Sequence, residues 1–221
     1  MEKSAALISI EAIEAIGELP VIPAQGKCAD LLVSEISLQH DLAFVMACCE
    51  RLVGMLEVPE SSADETIIQA LWSAAHVAYA RCFNSGLRTK LRPSDVKRLR
   101  IKGAVRHHEN ALALRDMHIA HSVSDEETIR LGLIIDKDQS GARKVVGVTQ
   151  LTVSNISGDA TSARSLWTVS SALHDLLNSR ITGRGAQLLE EAKATDINEL
   201  CERGPLIVST PRSDEGVRPR R

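Results

Sequence analysis

Leu38-Gln39-His40-Asp41-Leu42-Ala43-Phe44-Val45-Met46-Ala47-Cys48-Cys49-Glu50-Arg51-Leu52-Val53-Gly54-Met55-Leu56 decides the fold class of this chain. Leu38, Leu42, Val45, Cys49, Leu52 and Leu56 recur at steps of four and three, which is one face of a 3.6-residue helix and not the alternation of a strand. The same helix extends back to about Cys28, and Pro59 closes it. Further along, Ser62 and Glu65 have capping-box spacing, and Ile68, Leu71, Ala75, Ala78 and Cys82 form the inner face of a second helix that Asn84-Ser85-Gly86 ends. A later helix runs from about Ala160 to Arg180 with Leu166, Val169, Leu173 and Leu177 inward, and another covers Ala186 to about Cys201.

Two stretches depart from this period. Arg130 to Asp136 and Lys144 to Val153 are rich in β-branched residues and flank Asp138-Gln139-Ser140-Gly141, so they read as a two-stranded hairpin, about 129–154, inserted into a helical protein. Met1 to Gln25 is interrupted by Pro20 and Pro23 and reads as an arm. The expected organisation is an N-terminal arm over 1–27, a single helical domain over 28–203 and a mobile tail over 204–221. The fold class is mainly all-α, a four- to five-helix bundle with a small β-hairpin insertion.

At 221 residues, 44% hydrophobic and 25% charged, the chain can bury one substantial core. No apolar run approaches the ~18 residues needed to span a bilayer, and Glu11 interrupts the apolar start too soon for a secretion signal. The expectation is a cytoplasmic protein with no membrane partner. Cys28, Cys48, Cys49, Cys82 and Cys201 form no C-x-x-C pair and sit mostly at apolar helical positions, which argues for core filling rather than disulfides or zinc. No phosphate-binding glycine loop, nucleophile elbow or metal-ligand spacing is found, so neither cofactor nor metal is expected.

Charge is unevenly placed. Eight Lys or Arg between Arg88 and Arg106 face one acid, Asp95, a local charge of +7 in a chain whose total is −3. A local basic field of that size attracts phosphate. With 2% aromatic residues the chain cannot stack a row of bases, so backbone charge is the handle by which nucleic acid would be held. Trp72, His76, Tyr79 and Phe83, spaced four, three and four apart, are expected in the core rather than in an aromatic site.

Read as one helix, Pro93 to Ser122 puts Lys97, Arg100, Ala104, His107 with His108, Ala111, Arg115 and His118 on one stripe with no acid among them. Arg98, Lys102, Arg106, Glu109 and Asp116 fall on the opposite face. Apolar flanks on both sides predict that the stripe looks into a groove. The candidate substrate-binding residues are therefore Lys97, Arg100, His108 and His118. At the end of this helix stands Leu-Arg-Asp-Met-His-Ile-Ala-His-Ser, just before Ser124 and Glu127, a second pair with capping-box spacing.

Arg115, Asp116 and His121 of that segment match the motif of the HEPN superfamily: an Arg, a polar residue, then a His after four to six positions near the C-terminal end of a core helix. The chain resembles these helical proteins of bacterial toxin–antitoxin, abortive-infection and RNA-processing systems. Arg100 with His107 repeats the spacing but lacks the polar follower and lies mid-helix. The resemblance implies RNA as partner, metal-independent cleavage in active members, a homodimer in which two motifs face each other, and an antitoxin protein as a further partner. The residue types suit that chemistry. His121 could move protons at the ribose 2′-oxygen or the leaving oxygen, Arg115 could hold the phosphorane oxygens, and Asp116 could orient either. Six residues apart on a regular helix, Arg115 and His121 diverge by about 120°, so a composite site requires the helix to loosen near Ala120 or a second copy to contribute. The alternatives are a non-catalytic helical module for a nucleotide or a partner protein such as a nucleotidyltransferase, and a structural bundle.

Overall fold

The computed structural model describes residues 21–57, 64–84, 88–116, 127–137, 143–154 and 158–206. These are mostly helical, with one small antiparallel hairpin. In chain order the elements are α1 (Lys27–Leu56), α2 (Glu65–Arg81), α3 (Pro93–Arg98), α4 (Ala104–Leu114), β1 (Glu127–Lys137), β2 (Arg143–Ser154), α5 (Ala160–Lys193) and α6 (Ile197–Glu202). The chain divides into two compact units, Met1–Val33 with Arg180–Arg221, and Ser34–Ser179; the division falls within α1 and within α5. Most of the arm expected over 1–27 and of the tail expected over 204–221 lies outside the described residues.

The larger unit holds the core that the periodicity predicted. Leu38, Leu42, Val45, Cys49 and Leu52 on α1 are at most 1% exposed, and Leu166, Val169, Leu173 and Leu177 on α5 are buried with them. An apolar stripe of this width stabilises a helix through the surface it removes from water, about 25 cal/mol per Å². By length and composition alone α1 is also long and apolar enough to cross a membrane. It is so by overall composition and not by an unbroken apolar run, since Asp41, Glu50 and Arg51 interrupt it.

Leu52, Ile68, Trp72 and Ala163 form a packed cluster in this unit. Gly158 lies against the ring of Trp72 so closely that a methyl group there would overlap Cζ2 and Cη2. Trp72 is 4% exposed and cannot swing into water. Gly158→Ala is therefore expected to destabilise by about 1–3 kcal/mol, read as a melting temperature lower by several degrees; an unchanged melting temperature would mean the segment moves aside at no cost.

Helix ends follow local chemistry. Asp64, not Ser62, caps α2, its carboxylate accepting from the backbone N–H groups of Thr66 at 3.0 Å and Ile67 at 3.2 Å; Ser62 lies outside the described residues. Asp159 accepts from the Ser162 N–H at 2.7 Å, and Asp196 from the Asn198 N–H at 2.8 Å. The two late helices expected over 160–180 and from 186 begin as one, because Gly183 and Gly185 continue α5 to Lys193. A glycine inside a helix costs about 1 kcal/mol relative to alanine but does not forbid the conformation.

The hairpin has the expected place and partners. Its strands run from Glu127 to Lys137 and from Arg143 to Ser154 in antiparallel register, Leu133 opposite Val148 and Ile135 opposite Val145, with a bulge that leaves Val146 as the extra residue. Glu127 pairs with Ser154 and so begins a strand rather than a capped helix.

In the smaller unit, Cys28 Sγ donates to the Arg184 carbonyl at 3.7 Å, and the Leu206 N–H donates to the Val21 carbonyl at 2.7 Å. Cys201 is exposed there, the exception to the expectation of core cysteines. In the larger unit Cys49 and Cys82 are buried, and burial pushes each thiol up to about 12, which keeps both protonated and unreactive.

Candidate nucleic-acid interface

The basic segment begins where Arg88 is fastened to α1. Its guanidinium donates to Ser37 Oγ at 2.7 Å, to the Arg81 carbonyl at 3.2 Å and to Asp41, whose other oxygen lies 3.4 Å from Arg81. Arg88 is thereby committed to structure. The chain then enters α3 with Pro93 at its first position, and Asp95 accepts the Arg92 N–H at 2.8 Å. Asp95 is 5% exposed, so the segment's one acid faces inward. Lys90, Arg92, Lys97, Arg98, Arg100, Lys102 and Arg106 are all exposed.

The continuous basic helix expected over 93–122 is corrected. α3 ends at Arg98, Arg100 adopts φ +55° and Gly103 φ +81°, and α4 starts afresh at Ala104. Two left-handed residues within four positions cannot belong to one right-handed helix. Consequently the stripe does not exist as one face. On α4 its members Ala104, His108 and Ala111 are the buried side, because once Lys97 and Arg100 are detached that face is the least charged one the helix offers. The cations form a surface on α3, on the link to α4 and on the outer side of α4.

His108 illustrates the inversion. It is 4% exposed, joined to Tyr79 by a 3.0 Å hydrogen bond through Nδ1, with its ring 4.3 Å from that of Phe83. Expected to touch substrate, it is an interior residue instead. Trp72, His76, Tyr79 and Phe83 are buried as expected, and His76 Nδ1–H donates to the Trp72 carbonyl at 2.8 Å.

Burial lowers the pKa of both His76 and His108, with the Trp72 carbonyl and the Glu109 carboxylate opposing the shift at each in turn. A histidine held neutral when folded takes up a proton more readily when unfolded. The stability it contributes is thus present above the ordinary pKa of about 6.5 and is lost as pH falls below it toward the folded value. Melting temperature is expected to drop between pH 7.5 and 5.5, and the slope to flatten in H76Q/H108Q; equal slopes in both proteins would place the titration elsewhere.

At the C-terminal end of α4 the regular helix stops at Leu114 and Arg115–Asp116 form a wider π-type turn. Ala120, the expected place of loosening, lies outside the described residues. Arg115 donates to Asp116 Oδ1 at 2.7 Å, with the side chains 36% and 64% exposed. His118 and His121 lie outside the described residues, so the structure brings together Arg115 and Asp116 of the predicted site. Lys97 and Arg100 are exposed on the far side of the break from α4.

A second concavity, not signalled by the sequence, lies between α1 and α5. It has a volume of about 410 Å³ and is lined by Cys49, Glu50, Val53, Arg164, Trp167 and Thr168. Trp167 Nε1–H donates to Glu50 at 3.0 Å and Arg164 pairs with Glu57 beside it, so its polar groups are already partnered. Among the described residues no group of three or more His, Cys, Asp or Glu is placed to hold a metal ion. Compared with family models, curated proteins and solved structures, the chain matches none.

Proposed function

We propose that this chain is a HEPN-like helical bundle of four to five helices that binds RNA through the basic segment from Lys90 to Arg106, acting as a homodimer in a bacterial defence or toxin–antitoxin system. What supports the reading is a single observation: seven cations of that segment stand in solvent while its one acid, Asp95, is turned inward and used by the backbone. Phosphate is the ligand such a surface favours, because each neutralised phosphate releases a condensed counterion. Arg115, Asp116 and His121 are the residues the family resemblance assigns to metal-independent cleavage. Arg115 is half-exposed at a helix end, where a guanidinium can reach a phosphate without first leaving a core.

A second reading, a non-catalytic module for RNA, a nucleotide or a partner antitoxin protein, is favoured by one contact. Arg115 and Asp116 already satisfy each other, and a neutralised pair is a poorer phosphorane clamp than a free guanidinium. Binding of a labelled RNA by the full chain at increasing salt tests the shared premise; assay of cleavage products in EDTA separates the two readings.

A further inference from the structure

The β1–β2 ribbon has two unlike faces. In the register of the hairpin, Leu131, Leu133 and Ile135 share one face with Gln150, Val148 and Val145, while Arg130, Gly132, Ile134 and Asp136 share the other with Thr149, Gly147 and Lys144. The first face carries no charge across these positions. Its five aliphatic side chains are between 60% and 75% exposed. Strands of 11 and 12 residues that, among the described residues, pair only with each other make a long two-stranded ribbon, and such a ribbon is marginal in water unless something packs on its apolar side.

We infer that this face is where two copies of the chain pair, ribbon against ribbon. The area argues for a second copy. Five aliphatic side chains at this exposure leave on the order of 500 Å² of apolar surface, at the upper end of the roughly 300–600 Å² of the largest patch on a typical monomer, which is often functional. With its polar rim the face approaches the ~800 Å² per partner of a stable interface. A twofold contact requires a surface that complements itself; the uncharged span from Leu131 to Ile135 meets its own copy with no like-charged groups opposed, while Lys137 and Arg143, paired with each other, stand on the same face at its end. Arg130, Asp136 and Lys144 put charge on the reverse face, which holds that side in solvent. Edge addition at β2 is disfavoured, because the extra residue Val146 interrupts its hydrogen-bonding edge. The two sheets would stack about 10 Å apart, as sheets do when their inner faces are apolar.

The contact rests on the homodimer of the reading above and gives it a place, but it uses none of the RNA-binding observations, so the test reads mass rather than RNA. Full-length protein at micromolar concentration is expected to sediment as a dimer. L133K/V148K, which places two ammonium groups at one cross-strand pair, is expected to weaken dimerisation by roughly a hundredfold or more, while R130E on the reverse face leaves the dimer intact. Because the double variant could also disturb the ribbon, a photocrosslinker installed at Leu131 supplies an independent readout and is expected to join two chains on irradiation. A wild type that stays monomeric, or a dimer unaffected by L133K/V148K and not captured from position 131, would overturn the inference. A monomer that floats with phosphatidylcholine vesicles, and ceases to do so in L133K/V148K, would overturn it too by assigning the face to a lipid surface.

Discussion

Charge reversal at Lys97, Arg98, Arg100 and Lys102 together, K97E/R98E/R100E/K102E, is expected to lower RNA affinity by roughly three powers of ten at 0.1 M salt relative to 1 M, since each lost phosphate contact removes about 0.7–0.9 from the salt slope. All four side chains are exposed, so the melting temperature is expected to stay within the small range of surface substitutions. Reversing Lys97 with Arg100, or Arg98 with Lys102, is expected to cost comparable parts of that loss. One unbroken helix would have set the two pairs on opposite faces and made the losses unequal; the left-handed backbone at Arg100 and Gly103 removes that distinction. Filter binding at several salt concentrations measures both quantities. A fourfold-reversed protein that binds RNA as wild type does would show that the basic segment only serves solubility.

Arg115→Ala and His121→Ala are each expected to reduce RNA cleavage by two to four powers of ten without unfolding the protein, the range found for removing an oxyanion donor or a proton-transfer group. His118→Ala belongs beside them, because a second histidine three residues earlier could take over proton transfer. Products ending in 2′,3′-cyclic phosphate, formed in EDTA, are the expected signature of attack by the ribose hydroxyl. Should wild type cleave no RNA offered while both variants melt several degrees lower, Arg115 and His121 are structural and the non-catalytic reading takes precedence.

The core was legible because its signal is redundant: Leu38, Leu42, Val45, Cys49 and Leu52 repeat one period over four turns, and no tertiary contact is needed to see it. The hairpin was legible for a similar reason, its β-branched runs standing against helical surroundings. Gly103 was the punctuation that a charge-stripe reading passed over. A glycine followed by alanine inside an otherwise helical pattern can be tolerated or can start a new helix, and the choice depends on where the preceding segment is fastened. Here Arg88 on Asp41 and Ser37, and Asp95 on the Arg92 N–H, fix α3 before Gly103 is reached. His108 followed from the same misreading. Its spacing from Lys97 and Arg100 suggested a shared face, whereas Tyr79 and Phe83, distant in sequence, supply its partners. Gly183 and Gly185 carried the opposite ambiguity and were absorbed into α5. The apolar face of the ribbon depends on strand register, which a bulge at Val146 shifts by one residue and which no single-strand pattern encodes.

We propose that phosphate, held by the cations between Lys90 and Arg106, is what this surface recognises. The most direct test of that proposal is the affinity of the full chain for RNA measured against salt concentration. The account predicts binding at low salt and a linear fall of log affinity with log salt whose slope is shallower by about three in K97E/R98E/R100E/K102E. Absence of RNA binding at low salt, or an affinity that salt does not change, would contradict it.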